Sequence, residues 1–494
     1  MIAADANTNS LPQLTTYPSS QKVYPTSRQI LRIFLIQTAL GLFNTSGGYK
    51  ANHYLLSSLS SQGHACISLV LCWKNDILAA GVNYIEEKVC FDLEKDKVRV
   101  YRFIWGNVGM IGLELEDYLK IFPRSSISNP LEDDKESAAE YNFYLHFIKK
   151  EIMTFRATHF IFNDSVALKI ASTLPSSITR IFICHACEHL SFGPYGGVPG
   201  FGSTCSPMEH KWLKEIEGVW SVSRAVKRYI DIYGEGISST YLPLHPETYG
   251  QPPFKRYYNF DAPYVIIINP GAIKGYTIFK EIVEKMRDVQ FAAVKSWSVN
   301  DYLLNEMKKL DNVTIFQMFE NMEELWPKVK VLLVPSIWYE AFGLVVVEAM
   351  LRGIPVICSD AGGLPEAKCG VEFGTIHVNV TNGERETDPN AIKKMGIYKI
   401  PQQDVEPWIR SLRYLINDRE TYERFSQECC DKANVTIENI DVGIYKRWLL
   451  DIRKNQLLNL DNLQKNDKIS PTVINNVDNI NNIGVIVDTI SSTV

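Results

Sequence analysis

The sequence predicts an α/β protein of two doubly wound domains facing each other across a cleft. Three observations carry this. Short, almost uninterrupted apolar runs alternate with amphipathic stretches, the pattern of parallel strands covered by helices on both faces. The runs fall into two series, separated by a Pro-rich, aromatic segment at residues 241–263 that suits a linker. And 494 residues, 46% hydrophobic and 22% charged, can bury two ordinary domain cores.

The first series runs through residues 30–36, 65–72, 159–162, 180–184 and 219–222. Gly47 and Gly48 follow its first strand, and a helical stretch with Tyr54, Leu55 and Leu59 comes next. The second series runs through residues 264–268, 289–294, 313–316, 329–334 and 355–358. The expected organisation is a disordered tail at 1–29, a first domain at 30–245 and a linker at 246–263. A second domain at 264–436, a final helix at 437–454 and an Asn-rich tail at 455–494 complete it. In such sheets ligands bind outside the carboxyl ends of the strands, so the informative residues should follow strands.

Charge and composition exclude several classes. With 51 Lys+Arg against 56 Asp+Glu, the net charge of −5 offers no basic field for nucleic acid or an anionic membrane. The polar first 30 residues lack a signal-peptide pattern, and no apolar run reaches the length of a membrane span. Ten cysteines in a chain this long suit free thiols in a reducing compartment, so a cytoplasmic location is expected.

The most informative segment is residues 329–366. A buried strand ends at Pro335-Ser336, and a loop containing Glu340, Ala341, Phe342 and Gly343 follows. A helix over about 344–352 is stopped by Gly353. Val345, Val346 and Val347 in a row do not favour a helix by propensity, so burial must hold it. Glu348 on that apolar helix needs a partner, and the two vicinal hydroxyls of a ribose would suit it. The free N–H groups of Gly343, Leu344 and Val345 would favour a phosphate. Glu340 would then lie beside a sugar, and the three parts describe one ligand, a nucleotide sugar.

This register, Glu340-Ala-Phe-Gly-x4-Glu348, then Gly353-x-Pro355, then Gly362-Gly363-Leu364-Pro365-Glu366, resembles the family 4 retaining glycosyltransferases of the GT-B fold, two Rossmann-like domains about a cleft. Weaker similarity covers residues 31 to about 450. It implies that Lys274 of Lys274-Gly275 binds the donor diphosphate. Gly47 and Gly48 match the family's glycine loop, and His185 matches its histidine facing the sugar. Asn269 stands where many members carry an arginine. The implied activity is transfer with retention from a nucleotide sugar, a UDP-sugar foremost, to a small-molecule or glycan acceptor. No other cofactor and no metal are implied. The alternatives are a non-catalytic binding or regulatory protein on the same fold, and a phosphorylase.

Two further features remain open. Cys184-His185-Ala186-Cys187 suits packing thiols or half of a metal site. The Gly- and aromatic-rich run at 192–202 suits a mobile loop at the cleft mouth.

Overall fold

The computed structural model describes residues 30–40, 47–90, 97–121, 139–197, 205–319 and 321–468. The tail expected at 1–29 lies outside the described residues, as does the far end of the C-terminal one.

The first sheet comprises β1 (Arg32–Leu40), β2 (Ala65–Cys72), β3 (Tyr84–Cys90), β4 (Lys97–Trp105), β5 (Val108–Glu114), β6 (His159–Phe162), β7 (Thr179–Cys184), β8 (Gly218–Ser221) and β9 (Thr240–Tyr241). Their spatial order is β3-β4-β5-β2-β1-β6-β7-β8-β9. The second comprises β10 (Tyr264–Ile268), β11 (Phe291–Val294), β12 (Val313–Phe316), β13 (Val329–Val334), β14 (Val356–Ser359) and β15 (Thr375–Ile376), in the order β12-β11-β10-β13-β14-β15. All neighbours in the second sheet are parallel. The parallel part of the first sheet reverses between β1 and β6, and the second sheet between β10 and β13. Those reversals are where a doubly wound sheet opens a crevice for a ligand.

The first sheet departs from the expected all-parallel arrangement at one side. β4 runs antiparallel to both β3 and β5. The turn between β4 and β5 is Gly106-Asn107, and Gly106 takes φ 62°, the left-handed value a two-residue hairpin of this kind requires. β3 and β4 escaped the sequence reading because they are half-exposed, and β5 because Gly109 and Gly112 interrupt its apolar run. In β4, Val98, Val100, Tyr101 and Phe103 are buried, while Lys97 and Ile104 are exposed. Such half-exposed strands do not form continuous apolar runs.

The valine-rich helix forms over Leu344–Met350, with Val346, Val347, Ala349 and Met350 fully buried. Burial does hold it. It ends where Gly353 takes φ 71°, Gly353 N–H donates to Met350 O and Ile354 N–H donates to Ala349 O. These bonds close the helix in a Schellman turn.

The last helix runs over Gly443–Lys468, past residue 455 where the sequence reading starts a tail, and Ile437 belongs instead to the preceding helix Arg419–Glu438. It crosses back onto the first sheet. Arg453 donates to Thr158 O (2.8 Å) and Gln456 to Ser176 O (2.7 Å), Thr179 donates to Gln456 (2.6 Å), and Tyr445 stacks on Trp220. No described helix is long and apolar enough to cross a membrane.

Candidate functional site

A cavity of about 290 Å³ opens between the carboxyl ends of the two sheets. From the first sheet Gly47, Gly48 and His185 line it, and from the second Lys274, Glu340, Ala341, Phe342, Gly343, Leu344 and Val345. Every residue expected at the site except Glu348 is therefore on one wall or the other.

The second-sheet wall is assembled at the β10/β13 reversal. Lys274 follows β10 and Glu340 follows β13, and Lys274 Nζ lies 2.6 Å from Glu340 Oε1. Ser336 Oγ donates to the same oxygen at 2.6 Å. Gly275 takes φ 89°, and a Cβ there would sit 1.9 Å from Pro335 O, so only glycine lets the Lys274 turn press against the end of β13. The glycine pair at 362–363 clamps the Glu340 loop. Gly363 N–H donates to Glu340 O at 2.7 Å, and a Cβ on Gly362 would sit 2.2 Å from that oxygen.

Asn269 has a structural explanation. It takes φ 59°, a conformation that asparagine tolerates better than most residues. Its Oδ1 accepts from Ser298 N (3.0 Å) and Ser298 Oγ (2.6 Å). The side chain ties two loops together and supplies no charge to the cavity.

Glu348 is the exception. Its Oε1 lies 2.8 Å from Lys50 Nζ, on the helix Gly47–Ser61 that begins with the glycine pair. The contact joins the two sheets' domains, and the two helices are close. A Cβ on Gly47 would sit 2.4 Å from Leu344 Cδ1.

His185 ends a buried relay. Gln37 Nε2 donates to Ser68 Oγ (3.3 Å), and Asn52 Nδ2 donates to Gln37 Oε1 (3.0 Å). That leaves Asn52 Oδ1, 2.8 Å from His185 Nε2, as an acceptor. The network thus assigns the proton of His185 to Nε2 and leaves Nδ1 with a lone pair. Burial, with His189 nearby, lowers the His185 pKa to about 3, so the ring is neutral at ordinary pH. Its Nε2–H is engaged by Asn52, and Nδ1 can only accept.

Glu188 was not anticipated. It accepts from Trp338 Nε1 at 2.6 Å, linking the turn after β7 to the loop after β13. Burial raises its carboxyl, with Lys274 and Trp338 opposing and Glu340 reinforcing the shift. Lys50 and Glu188 shared one difficulty in sequence: each acts through a partner on a distant stretch of chain.

Cys184 and Cys187 are buried, and burial pushes both thiols up, so they stay protonated. Among the described residues no group of three or more His, Cys, Asp or Glu side chains is placed to hold a metal ion. The described half of the aromatic run, up to Gly197, packs tightly at the junction of the domains. Tyr195 is 4% exposed, stacks on Tyr339 and donates to Thr381 O at 2.6 Å.

Comparison with known proteins bears on the fold and on part of the second domain. Residues 266–418 match the family model described as glycosyl transferases group 1. No curated protein sequence matches the chain. Among solved structures, a glycosyltransferase from Rickettsia africae superposes with a TM-score of 0.55 at 14% identity, covering 87% of this chain and 99% of that one. The catalytic domain of starch synthase IV from Arabidopsis thaliana, bound to ADP and acarbose, gives 0.58 at 13% identity over 87% and 99%. Anabaena HepE in complex with UDP-glucose gives 0.51 at 13% identity over 87% and 100%. The chain therefore has the GT-B fold, and the stretch carrying Lys274, Glu340 and Glu348 is the one similar to group 1 glycosyl transferases.

Proposed function

We propose that this protein is a nucleotide-sugar-dependent, retaining glycosyltransferase. One observation carries the reading. At the β10/β13 reversal a cation, a carboxylate and a helix start converge on one cavity, roofed by the glycine pair and histidine of the opposite sheet. Lys274 and the N–H groups of Gly343, Leu344 and Val345 hold the donor diphosphate. Glu340, with the backbone of Ala341 and Phe342, holds the sugar hydroxyls. Glu348 takes the ribose once Lys50 releases it. His185, through Nδ1, accepts from a sugar hydroxyl, while Gly47 and Gly48 allow close approach from the acceptor side.

The step moves the anomeric carbon from diphosphate oxygen to an acceptor oxygen. Negative charge grows on the departing phosphate, where preorganised cations are most effective. Lys274 meets part of that charge, and this scheme uses no divalent ion. The donor is a co-substrate, and a UDP-sugar is the first to test, as the UDP-glucose in Anabaena HepE supports. The acceptor is a small molecule or a glycan.

The test is a thermal-shift panel of UDP-, ADP- and GDP-sugars, since a ligand that binds the folded state raises apparent stability. Transfer of labelled sugar, with and without candidate acceptors, follows. At least one nucleotide sugar should raise the midpoint and lose its sugar. A panel with no shift and no turnover would sink the reading.

A further inference from the structure

The side chains lining the cavity carry too little positive charge for a diphosphate. Among the described residues that line it, Lys274 is the one permanent cation, and it is already paired with Glu340. His185 is neutral. Asn269 contributes an amide engaged by Ser298. A nucleoside diphosphate brings at least two negative charges to this wall, so a second cation is needed nearby.

Lys50 meets that need. It lies three residues beyond Gly47 on one helix, hence on the same face as a residue that lines the cavity. Its ammonium is held at 2.8 Å by Glu348, with the side chains 34% and 15% exposed, so the pair sits at the edge of the cleft. Glu348 is four residues along its helix from Leu344, a rise of about 6 Å. The flexible lysine stem can span that distance by rotation. The two members of the pair are also complementary to two parts of one ligand. The carboxylate suits vicinal hydroxyls, and the ammonium suits phosphate oxygen.

We propose that Lys50 is a donor-binding residue that crosses from the first domain to supply the second diphosphate cation. The proposal rests on the glycosyltransferase reading above. In the free protein Lys50 and Glu348 satisfy each other, as Lys274 and Glu340 do. When the donor enters, both pairs exchange together. The carboxylates turn to hydroxyls of ribose and sugar, and the ammonium groups turn to the diphosphate. No charge is left unpartnered at either end of the exchange. Because Lys50 belongs to the first domain, the exchange also ties donor binding to the position of that domain.

The experiment is calorimetric titration of the full chain with UDP, ADP and GDP, and with the nucleoside of whichever diphosphate binds. The proteins are wild type, Lys50→Met and Lys50→Arg, each checked for an unchanged melting curve. Lys50→Met should weaken diphosphate binding about tenfold or more, the scale of one lost charge-assisted hydrogen bond. Its nucleoside affinity should not fall, since the ribose no longer competes with an ammonium for Glu348. Lys50→Arg should keep most of the diphosphate affinity. Unchanged or tighter diphosphate binding in a folded Lys50→Met protein would overturn the role of Lys50 and leave the donor site standing. Wild-type protein that binds none of the three diphosphates would overturn the donor reading, and this proposal with it.

Discussion

Lys274 and Glu340 meet at 2.6 Å across the ends of two hydrogen-bonded strands, β10 and β13. Each comes from a different loop, and the contact exists only because the strand order reverses between them. The pair places a cation where diphosphate charge would develop. Lys274→Ala is therefore expected to cost on the order of 2–4 kcal/mol in kcat/KM for the donor, as for loss of a preorganised charge-stabilising group. Part of the loss should appear in kcat, because leaving-group charge grows in the transition state. Steady-state kinetics with the identified donor checks this, and near-wild-type turnover would make the Lys274 contact purely structural.

Glu348→Ala should act differently. A ribose contact is the same in ground and transition states, so its loss raises KM more than it lowers kcat. About 1.5–3 kcal/mol of donor affinity is expected to go, the range for a hydrogen bond to a charged group. The same substitution leaves Lys50 without its carboxylate, which softens the loss if Lys50 then reaches phosphate. Donor titration of the folded variant decides it; unchanged affinity would remove Glu348 from the ribose.

Gly362→Ala tests the clamp on the Glu340 loop. The residue sits at φ 59°, and the added methyl would lie 2.2 Å from Glu340 O and 2.6 Å from its N. Backbone cannot move aside as a side chain can, so the loop carrying Glu340 must shift. Strain and overpacking of this kind cost roughly 1–3 kcal/mol of stability. Turnover should fall further than stability does, since a misplacement of about 1 Å costs catalysis on the order of a hundredfold. Melting curves and kcat measured together separate the two effects.

How much of this was legible in the sequence depends on how local each signal was. β10, β12 and β13 were bounded correctly because they are continuous apolar runs ended by turns. The 340–366 register pointed to the Glu340 loop and its helix because its spacing lies within a single strand–helix–strand unit. The β3–β4–β5 meander was missed because β3 and β4 are half-exposed and two glycines interrupt β5. The Lys50–Glu348 contact spans 298 positions, and no local spacing encodes it. Asn269 looked like a lost cation, but its left-handed backbone and its bonds to Ser298 belong to three-dimensional structure alone. An arginine introduced there would break those bonds and strain the loop, so the substitution does not test phosphate binding. Gln456 lay in the expected Asn-rich tail, yet together with Arg453 of the expected final helix it grips the first sheet.

Acid should destabilise the fold through buried histidines. His159 is 0% exposed, with Nε2 3.0 Å from Leu449 O and Nδ1 2.9 Å from Thr158 Oγ1. Burial lowers its pKa to about 4, with the bond to Leu449 O opposing and Arg453 and His64 adding to the shift. The folded value lies below the unfolded one, so between about pH 6.5 and 4 the unfolded chain holds the extra proton. Stability should therefore fall as pH falls through that window, with a slope approaching ~1.4 kcal/mol per pH unit for this residue. His185, lowered to about 3, acts in the same direction. Denaturant titrations between pH 7 and 4.5 measure the slope, and His159→Gln should make it shallower. An equally steep slope in that variant would assign the effect elsewhere.

The stereochemical prediction follows from how Glu340 is held. One carboxylate oxygen accepts from Ser336 Oγ at 2.6 Å, a bond that remains when Lys274 turns to the diphosphate, so the group is fixed from its own side of the cavity as an acceptor. A carboxylate so engaged suits hydrogen bonds from sugar hydroxyls better than attack on the anomeric carbon. His185 offers only Nδ1, and with a pKa near 3 it is a weak base. Proton removal from the acceptor then falls to the departing phosphate, whose oxygen gains basicity as the bond to carbon breaks. That route keeps the acceptor on the same face as the leaving group, and the product keeps the donor's anomeric configuration. The anomeric coupling constant of the product, whose glycosidic bond locks the new configuration, measures this directly. Running the reaction in excess chelator examines the charge balance at the same time, since Lys274 and Lys50 are proposed to meet the phosphate charge. An inverted product would require a base that these residues do not provide. Chelator inhibition reversed by added metal would show that the lysines alone do not carry the diphosphate.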